Sequence, residues 1–231
     1  MASGLLERTL MTKQKTALYL NGAILLFEMV ALVFSILNHG VNLFLYYTQV
    51  CNILALVGSG LYLAYARKEE PPKWLRILRY VNVVTLSITF LIVVVFLFPM
   101  ICMREVFANG QSLGMGIWVA SLEMFLGGSV FFHHLVCPIL TFLSFVWYEE
   151  GADITKRESL YALIPTLAYA AILITLNLLR LVDGPYPFLK VYEQGPILSV
   201  AWAAVIFAIA YLIGQIVWRF VEKQKEKEKS K

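Results

Sequence analysis

The chain has 231 residues, of which 60% are hydrophobic and only 15% are charged. A soluble domain of this length needs a polar shell, and this composition does not provide one. The net charge of +4 would suit a nucleic-acid-binding protein, but the basic residues lie at the ends of apolar runs, which indicates membrane topology instead. We therefore predict a membrane protein with no nucleic-acid partner.

Six apolar runs follow one another along the chain, each about as long as the hydrocarbon core of a bilayer requires. Because backbone groups in lipid must be hydrogen-bonded within the protein, each run is expected to be helical. The prediction is an all-α, six-transmembrane-helix bundle that forms a single integral membrane domain over 1–231, with short cytoplasmic tails at 1–15 and 220–231. The runs are 16–37, 44–66, 79–101, 128–148, 160–182 and 197–219.

The distribution of basic residues predicts the orientation of the bundle. Of the 19 lysines and arginines, all but three lie in the tails and the even-numbered connections, including five between Arg67 and Arg79. The exceptions are Arg104, Arg180 and Lys190. Cytoplasmic segments are enriched in basic residues, so both termini are predicted to be cytoplasmic in a multi-pass protein of the cell membrane.

The third connection, about 102–127, contains a second apolar stretch, Ile117 to Leu126, that is too short to span a bilayer. It predicts a re-entrant or interfacial helix with Glu123 on its wet side. The three cysteines form no CxxC pair, and the sequence has neither a metal-ligand cluster nor a glycine-rich phosphate loop. We therefore expect no metal and no cofactor.

Polar residues at membrane depth usually face the interior of a bundle, because exposure to lipid is costly. In the second run a polar stripe recurs at helical spacing and comprises Thr48, Cys51, Asn52, Ala55 and Ser59. In the fourth run a similar stripe comprises His134, Cys137, Thr141 and Ser144. His133 lies about 100° away from this second stripe on an ideal helix, so periodicity favours His134 as the inward-facing histidine.

Thr48 and His134 are predicted to lie at similar depth, about one turn inside the outer surface. A hydroxyl or thiol beside an imidazole is the minimum for nucleophilic catalysis, although small residues and histidines also join helices without any chemistry. Glu28, midway along the first run, is either a functional group or a hydrogen-bonded structural one. No carboxylate partner for a catalytic histidine is apparent in the sequence.

The fifth connection contains two prolines and an aromatic, apolar segment that includes Tyr186 and Phe188. Proline at these positions excludes a continuous helix. The segment is expected to be either a lid over a binding site or an anchor at the membrane interface.

Three segments in this order resemble the androgen-induced / androgen-dependent TFPI-regulating family of membrane proteins and its bacterial relatives. They are Tyr47-Thr48 with Asn52, His133-His134 followed by Pro138, and Tyr186-Pro187-Phe188-Leu189. The resemblance covers roughly residues 40–220. It implies a threonine hydrolase that cleaves fatty acid esters of hydroxy fatty acids, with membrane lipids or lipid esters as its partners.

The resemblance implies that Thr48 is the nucleophile, and it matches both His133 and His134 as the catalytic histidine. Helical phase favours His134, so we assign catalysis to Thr48 and His134. Contacts with the substrate are expected from Cys51, Asn52, His133, Tyr186 and Phe188.

Cys51 departs from the family pattern, because thiols are intrinsically better nucleophiles and more distant, similar acyltransferases use a cysteine opening such a helix. A cysteine-based lipid acyltransferase therefore remains open as an alternative. The other alternative is a non-enzymatic protein that binds or transports lipid.

Overall fold

The computed structural model describes residues 2–65, 71–126, 128–149, 154–186 and 189–229. Within these ranges the chain is helical, with turns and short loops but no β-strand. Among the described residues, six helices are long and apolar enough to cross a membrane, which confirms the prediction of an all-α, multi-pass membrane bundle. They comprise Met11–Leu45, Tyr47–Tyr65, Lys73–Ala108, Ser129–Tyr148, Glu158–Leu178 and Ile197–Lys227.

Eight helices are numbered here in chain order, with the first and last extending beyond the apolar windows. Both predicted tails are helical as far as they are described, because the first helix begins at Ala2 and the last ends at Lys229. The helices are α1 (Ala2–His39), α2 (Tyr47–Tyr65), α3 (Lys73–Ala108), α4 (Leu113–Leu126), α5 (Ser129–Tyr148), α6 (Glu158–Leu178), α7 (Val191–Gln194) and α8 (Pro196–Lys229).

Helix α3 lies at the centre of the bundle. It contacts α2, α5, α8 and the start of α6, and every residue from 79 to 86 is buried. A helix that is buried on all sides belongs to a core rather than to a surface. Gly58 of α2 brings the two backbones close, since a Cβ there would collide with the Asn82 side chain of α3.

Helix α1 packs against α2 and α5 through one narrow face. The buried positions recur every three or four residues, as expected for a helix that contacts its neighbours along a single stripe. They are Ala17, Asn21, Ile24, Glu28, Ala31 and Ser35. Three of these six side chains are polar, so the buried face of α1 carries polar groups at several depths.

Two π-helical turns each come just before a proline within a spanning helix. Val93–Leu97 comes just before Pro99 in α3, and Phe132–Val136 comes just before Pro138 in α5. Proline has no N–H to donate, and its ring collides with the carbonyl four residues earlier. In α5 that carbonyl belongs to His134, and the Cys137 N–H bonds to the Phe132 carbonyl, five residues back, instead of four. The wider turn relieves the collision without ending the helix.

The third connection contains the short apolar helix that the sequence predicts, α4, which has 14 residues. It packs against the end of α3, where a Cβ on Gly116 would lie only 2.7 Å from the Cys102 carbonyl oxygen. Glu123 is paired with Arg104 at 2.6 Å, and both side chains are about half exposed. The exposure of Glu123 agrees with a wet side for this helix, and its interfacial or re-entrant placement stays a prediction.

Candidate functional site

Helix α2 begins at Tyr47, so Thr48 lies in its first turn. There the Asn52 amide donates to the Thr48 carbonyl oxygen at 2.7 Å. Thr48 itself is half-buried, whereas Cys51 and Asn52 are only 1% exposed. Ala55 and Ser59, the other members of the predicted stripe, are fully buried. The polar face of α2 therefore points into the bundle, with Thr48 at its outermost and most accessible position.

Tyr186, in the loop that follows α6, lies beside Thr48. Burial raises the pKa of the Tyr186 phenol, and the nearby Thr48 hydroxyl and the backbone of Thr48 and Tyr47 oppose that rise. The Tyr186 ring also packs edge-on against Tyr46, with centroids 6.4 Å apart. The loop thus contacts the start of α2. Phe188, the other aromatic residue predicted in this segment, lies outside the described residues.

Helix α6 fixes the start of α2 from another side. The hydroxyls of Tyr47 and Thr166 are hydrogen-bonded at 2.8 Å, and the Tyr169 hydroxyl donates to the Leu45 carbonyl at 2.6 Å. Tyr47 and Tyr169 also form an edge-on ring contact. These contacts hold the first turn of α2, and with it Thr48, between α6 and the Tyr186 loop.

The two histidines of α5 face different surroundings, but not those that ideal helical phase predicts. His133 is 2% exposed, whereas His134 is half-buried and its ring approaches the Thr89 carbonyl of α3. The buried stripe of α5 therefore contains His133, together with Cys137, Thr141 and Ser144. The π-turn explains the difference, because its extra residue per turn shifts the helical phase between the histidines and the rest of the stripe.

Glu28 provides the carboxylate partner of a histidine that was not apparent in the sequence. Its Oε2 lies 3.3 Å from His133 Nε2, and both side chains are almost completely buried. The Cys137 thiol lies beside the same carboxyl group. Neither Glu28 oxygen nor His133 Nδ1 has a well-directed hydrogen bond, so this cluster keeps unused bonding capacity in the interior of the bundle.

A second polar cluster, which we call the Arg79–Glu149 network, lies at the opposite end of the bundle. Arg79 Nε contacts both Glu149 oxygens at 3.2 and 3.1 Å, Nη2 contacts Oε1 at 2.7 Å, and Nη1 donates to Ser59 at 3.0 Å. Asn21 and Ser144 also donate to Glu149, at 2.9 and 2.8 Å. Arg79 was predicted to be one of the basic residues of a cytoplasmic connection, but its side chain is fully buried and paired.

The polar groups form layers at different depths. Thr48 precedes Ser59 on α2, and His134 precedes Ser144 on α5, by ten or eleven residues, which corresponds to about 15 Å of helix. Thr89 lies equally far along α3 from Arg79. Helix α2 contacts the π-turn of α5, which is compatible with the similar depth predicted for Thr48 and His134. Within the described part of the chain, however, neither histidine is hydrogen-bonded to Thr48.

No group of three or more His, Cys, Asp or Glu side chains arranged to hold a metal ion occurs among the described residues. The candidate site is therefore a set of hydroxyl, thiol, imidazole and carboxyl groups held by α1, α2, α3 and α5. In comparisons with known proteins, no family model, curated protein or solved structure matches the chain.

Proposed function

We propose that this protein is an intramembrane lipid ester hydrolase in which Thr48 is the nucleophile and His134 the general base. The observation that supports it best is the environment of Thr48. Thr48 is half-buried in the first turn of α2, lies beside Tyr186, and is on a helix that contacts the π-turn in which His134 lies. His134 Nδ1 is buried without a hydrogen-bond partner, as a nitrogen that accepts a proton from a bound substrate or nucleophile would be before reaction.

In the proposed reaction the Thr48 hydroxyl oxygen attacks the ester carbonyl while the imidazole takes its proton. The tetrahedral intermediate then expels the alcohol, which receives that proton from the imidazolium, and leaves an acyl ester on Thr48. Water attacks this ester with the imidazole again acting as base. The fatty acid departs and the Thr48 hydroxyl is restored.

Stabilisation of the oxyanion is available at the start of α2. The first N–H groups of a helix have no partner within the helix, and those of Tyr47 and Thr48 lie near the Tyr186 phenol. Donors that meet one oxygen near the nucleophile suit a carbonyl oxygen on which negative charge develops. Asn52 is less suited to this role, since one of its amide protons already bonds to the Thr48 carbonyl.

The Arg79–Glu149 network favours a hydrolase over a transporter. A passage through the bundle needs polar groups that can exchange partners at both ends. Here the buried charges at one end are paired with each other and with Ser59, Asn21 and Ser144. The polar atoms without partners include those of Glu28, His133 and His134, which lie away from this network.

Acyl transfer through Cys51 is the second candidate. The Cys51 thiol lies one turn deeper than Thr48, beside the side chains of Tyr47 and Thr85 and in the neighbourhood of Glu28. Thr48 is preferred as the nucleophile because it is accessible, whereas Cys51 is only 1% exposed.

The test is hydrolysis of fatty acid esters of hydroxy fatty acids by the purified protein in lipid nanodiscs, followed by mass spectrometry. Thr48→Ala and His134→Ala should each lose at least a hundredfold in rate, since a positioned base contributes about that much or more. Thr48→Ser, which keeps a hydroxyl, should retain measurable turnover. Thr175→Ala is the matched control, because the exposed Thr175 hydroxyl bonds only to its own helix.

The outcomes separate the candidate functions. If Cys51→Ala is inactive and Thr48→Ala is not, the chemistry belongs to the thiol and acyl transfer replaces hydrolysis. If His133→Ala is inactive and His134→Ala is not, His133 is the base. A wild-type protein that binds these esters but never cleaves them would leave a binding or transport role.

A further inference from the structure

Among the side chains of α1 that the structure describes, Glu28 is the one carboxylate on the buried face, and it is 1% exposed. A carboxyl group at this depth is costly, and such residues usually serve a partner or a reaction. The neighbouring buried positions on that face are apolar: Ile24 precedes Glu28 by one turn, and Ala31 follows it. The packing of α1 therefore does not itself require a carboxylate at residue 28.

Two adjacent pairs join α1 to the π-turn of α5 at this point. Glu28 lies 3.3 Å from His133, and the Phe27 and Phe132 rings are stacked with centroids 5.4 Å apart. On the other side of the turn, His134 approaches the Thr89 carbonyl of α3. The turn is thus held between α1 and α3, with one histidine directed to each of them.

A π-turn lacks the regular hydrogen bonding of an α-helix, so its side chains need tertiary contacts to fix their direction. The carbonyl of His134 is the one that Pro138 deprives of its usual donor. The rotation of this turn about the helix axis is therefore set mainly by the contacts that its side chains make. The contact between Glu28 and His133 is the polar contact from α1.

We propose that Glu28 is a positioning residue. It holds His133 and thereby fixes the direction in which His134 points toward the reacting groups. This inference rests on the proposed hydrolase function for its kinetic consequence, but its structural claim is independent of it. Because the site is buried, the pair is expected to be neutral overall, with one proton shared between carboxyl and imidazole. An amide in place of the carboxyl group can satisfy the same imidazole nitrogen.

The experiment compares Glu28→Gln and Glu28→Leu, with Ser35→Ala as the matched control. Ser35 is fully buried on the same face of α1, and its hydroxyl has no partner. The first readout is the ring ¹⁵N signals of histidine-labelled protein in lipid bilayers, which is tractable because the chain has only 3 histidines. The second is hydrolysis of the lipid ester, with kcat and KM measured separately.

Glu28→Leu should shift the ring signals of both His133 and His134, and lower kcat at least tenfold while KM changes less than threefold. Glu28→Gln should keep the His134 signals and stay within threefold of the wild-type kcat. Ser35→Ala should match the wild type in both readouts. The proposal is overturned if Glu28→Leu leaves the His134 signals unchanged, or if Glu28→Gln keeps them but is as inactive as Glu28→Leu.

A measurement on the wild-type protein covers the case in which Glu28→Leu does not fold. A ¹³C-labelled glutamate carboxyl group should show a dipolar coupling to an imidazole ¹⁵N, and this coupling should vanish in Glu28→Gln. No coupling in the wild type would overturn the contact itself. If the wild type hydrolyses no ester, the proposed function fails, while the coupling and the His134 signals still decide whether Glu28 positions the histidines.

Discussion

Substitution of Glu149 should destabilise this bundle more than substitution of any exposed charged residue. Glu149→Ala takes away the acceptor of three contacts from Arg79, at 2.7, 3.1 and 3.2 Å, and leaves a fully buried guanidinium without its counter-ion. Breaking one partner of such a pair costs about 3–5 kcal/mol. Asn21 and Ser144 lose an acceptor in the same step, which places the expected loss toward the upper end of that range.

The assay is reversible unfolding in mixed micelles, titrated with SDS and followed by tryptophan fluorescence. The double variant Arg79→Met with Glu149→Leu is the informative partner, because a buried ion pair replaced by apolar side chains is often neutral or stabilising. It should be at least as stable as either single variant. Glu193→Ala is the control, since its pair with Lys190 is largely exposed and worth at most about 1 kcal/mol.

The network is refuted if Glu149→Ala costs no more than Glu193→Ala. Such a result would mean that Arg79 has access to water and is not enclosed by the bundle. Additive effects in the Arg79 and Glu149 double variant would also contradict the description, because residues in direct contact should show a coupling free energy.

Two further predictions concern the loop after α6 and the orientation of the bundle. Tyr186→Phe removes the phenol beside Thr48 and should lower kcat/KM for ester hydrolysis about two- to tenfold, the value of one hydrogen bond. Tyr192→Phe, which loses an exposed bond to a backbone carbonyl, should leave hydrolysis unchanged, and equal effects of the two would contradict the role of Tyr186. In intact cells an impermeant maleimide should label a cysteine placed at Ser112 but not one at Lys156, and the reverse pattern would overturn the predicted cytoplasmic termini.

The fold was largely predictable because the membrane imposes a simple rule. Each apolar run must be a helix of fixed minimum length, so the six runs correspond to the six candidate spanning helices. The burial of Cys51, Asn52 and Ser59 on α2 follows from the same logic, since polar side chains avoid lipid. These inferences need only composition and spacing within one segment.

The partners of the buried charges were not predictable in the same way. Glu28 and His133 are far apart in the sequence, as are Arg79 and Glu149, and no local pattern says which helix faces which. Arg79 shows the consequence. Its position beside a basic connection suggested a solvated charge, whereas the structure buries it completely against Glu149.

The histidines show a different kind of limit, because the relevant signal was present in the sequence. Pro138 follows His134 by four residues, so its ring must displace the His134 carbonyl and disturb the helix at that turn. The prediction assumed an ideal helix through this turn and therefore placed His133 away from the buried stripe. In the structure His133 lies on that stripe. The burial of His133 is explained by its contact with Glu28, and His134, the less buried of the two histidines, is the one that we propose as the base.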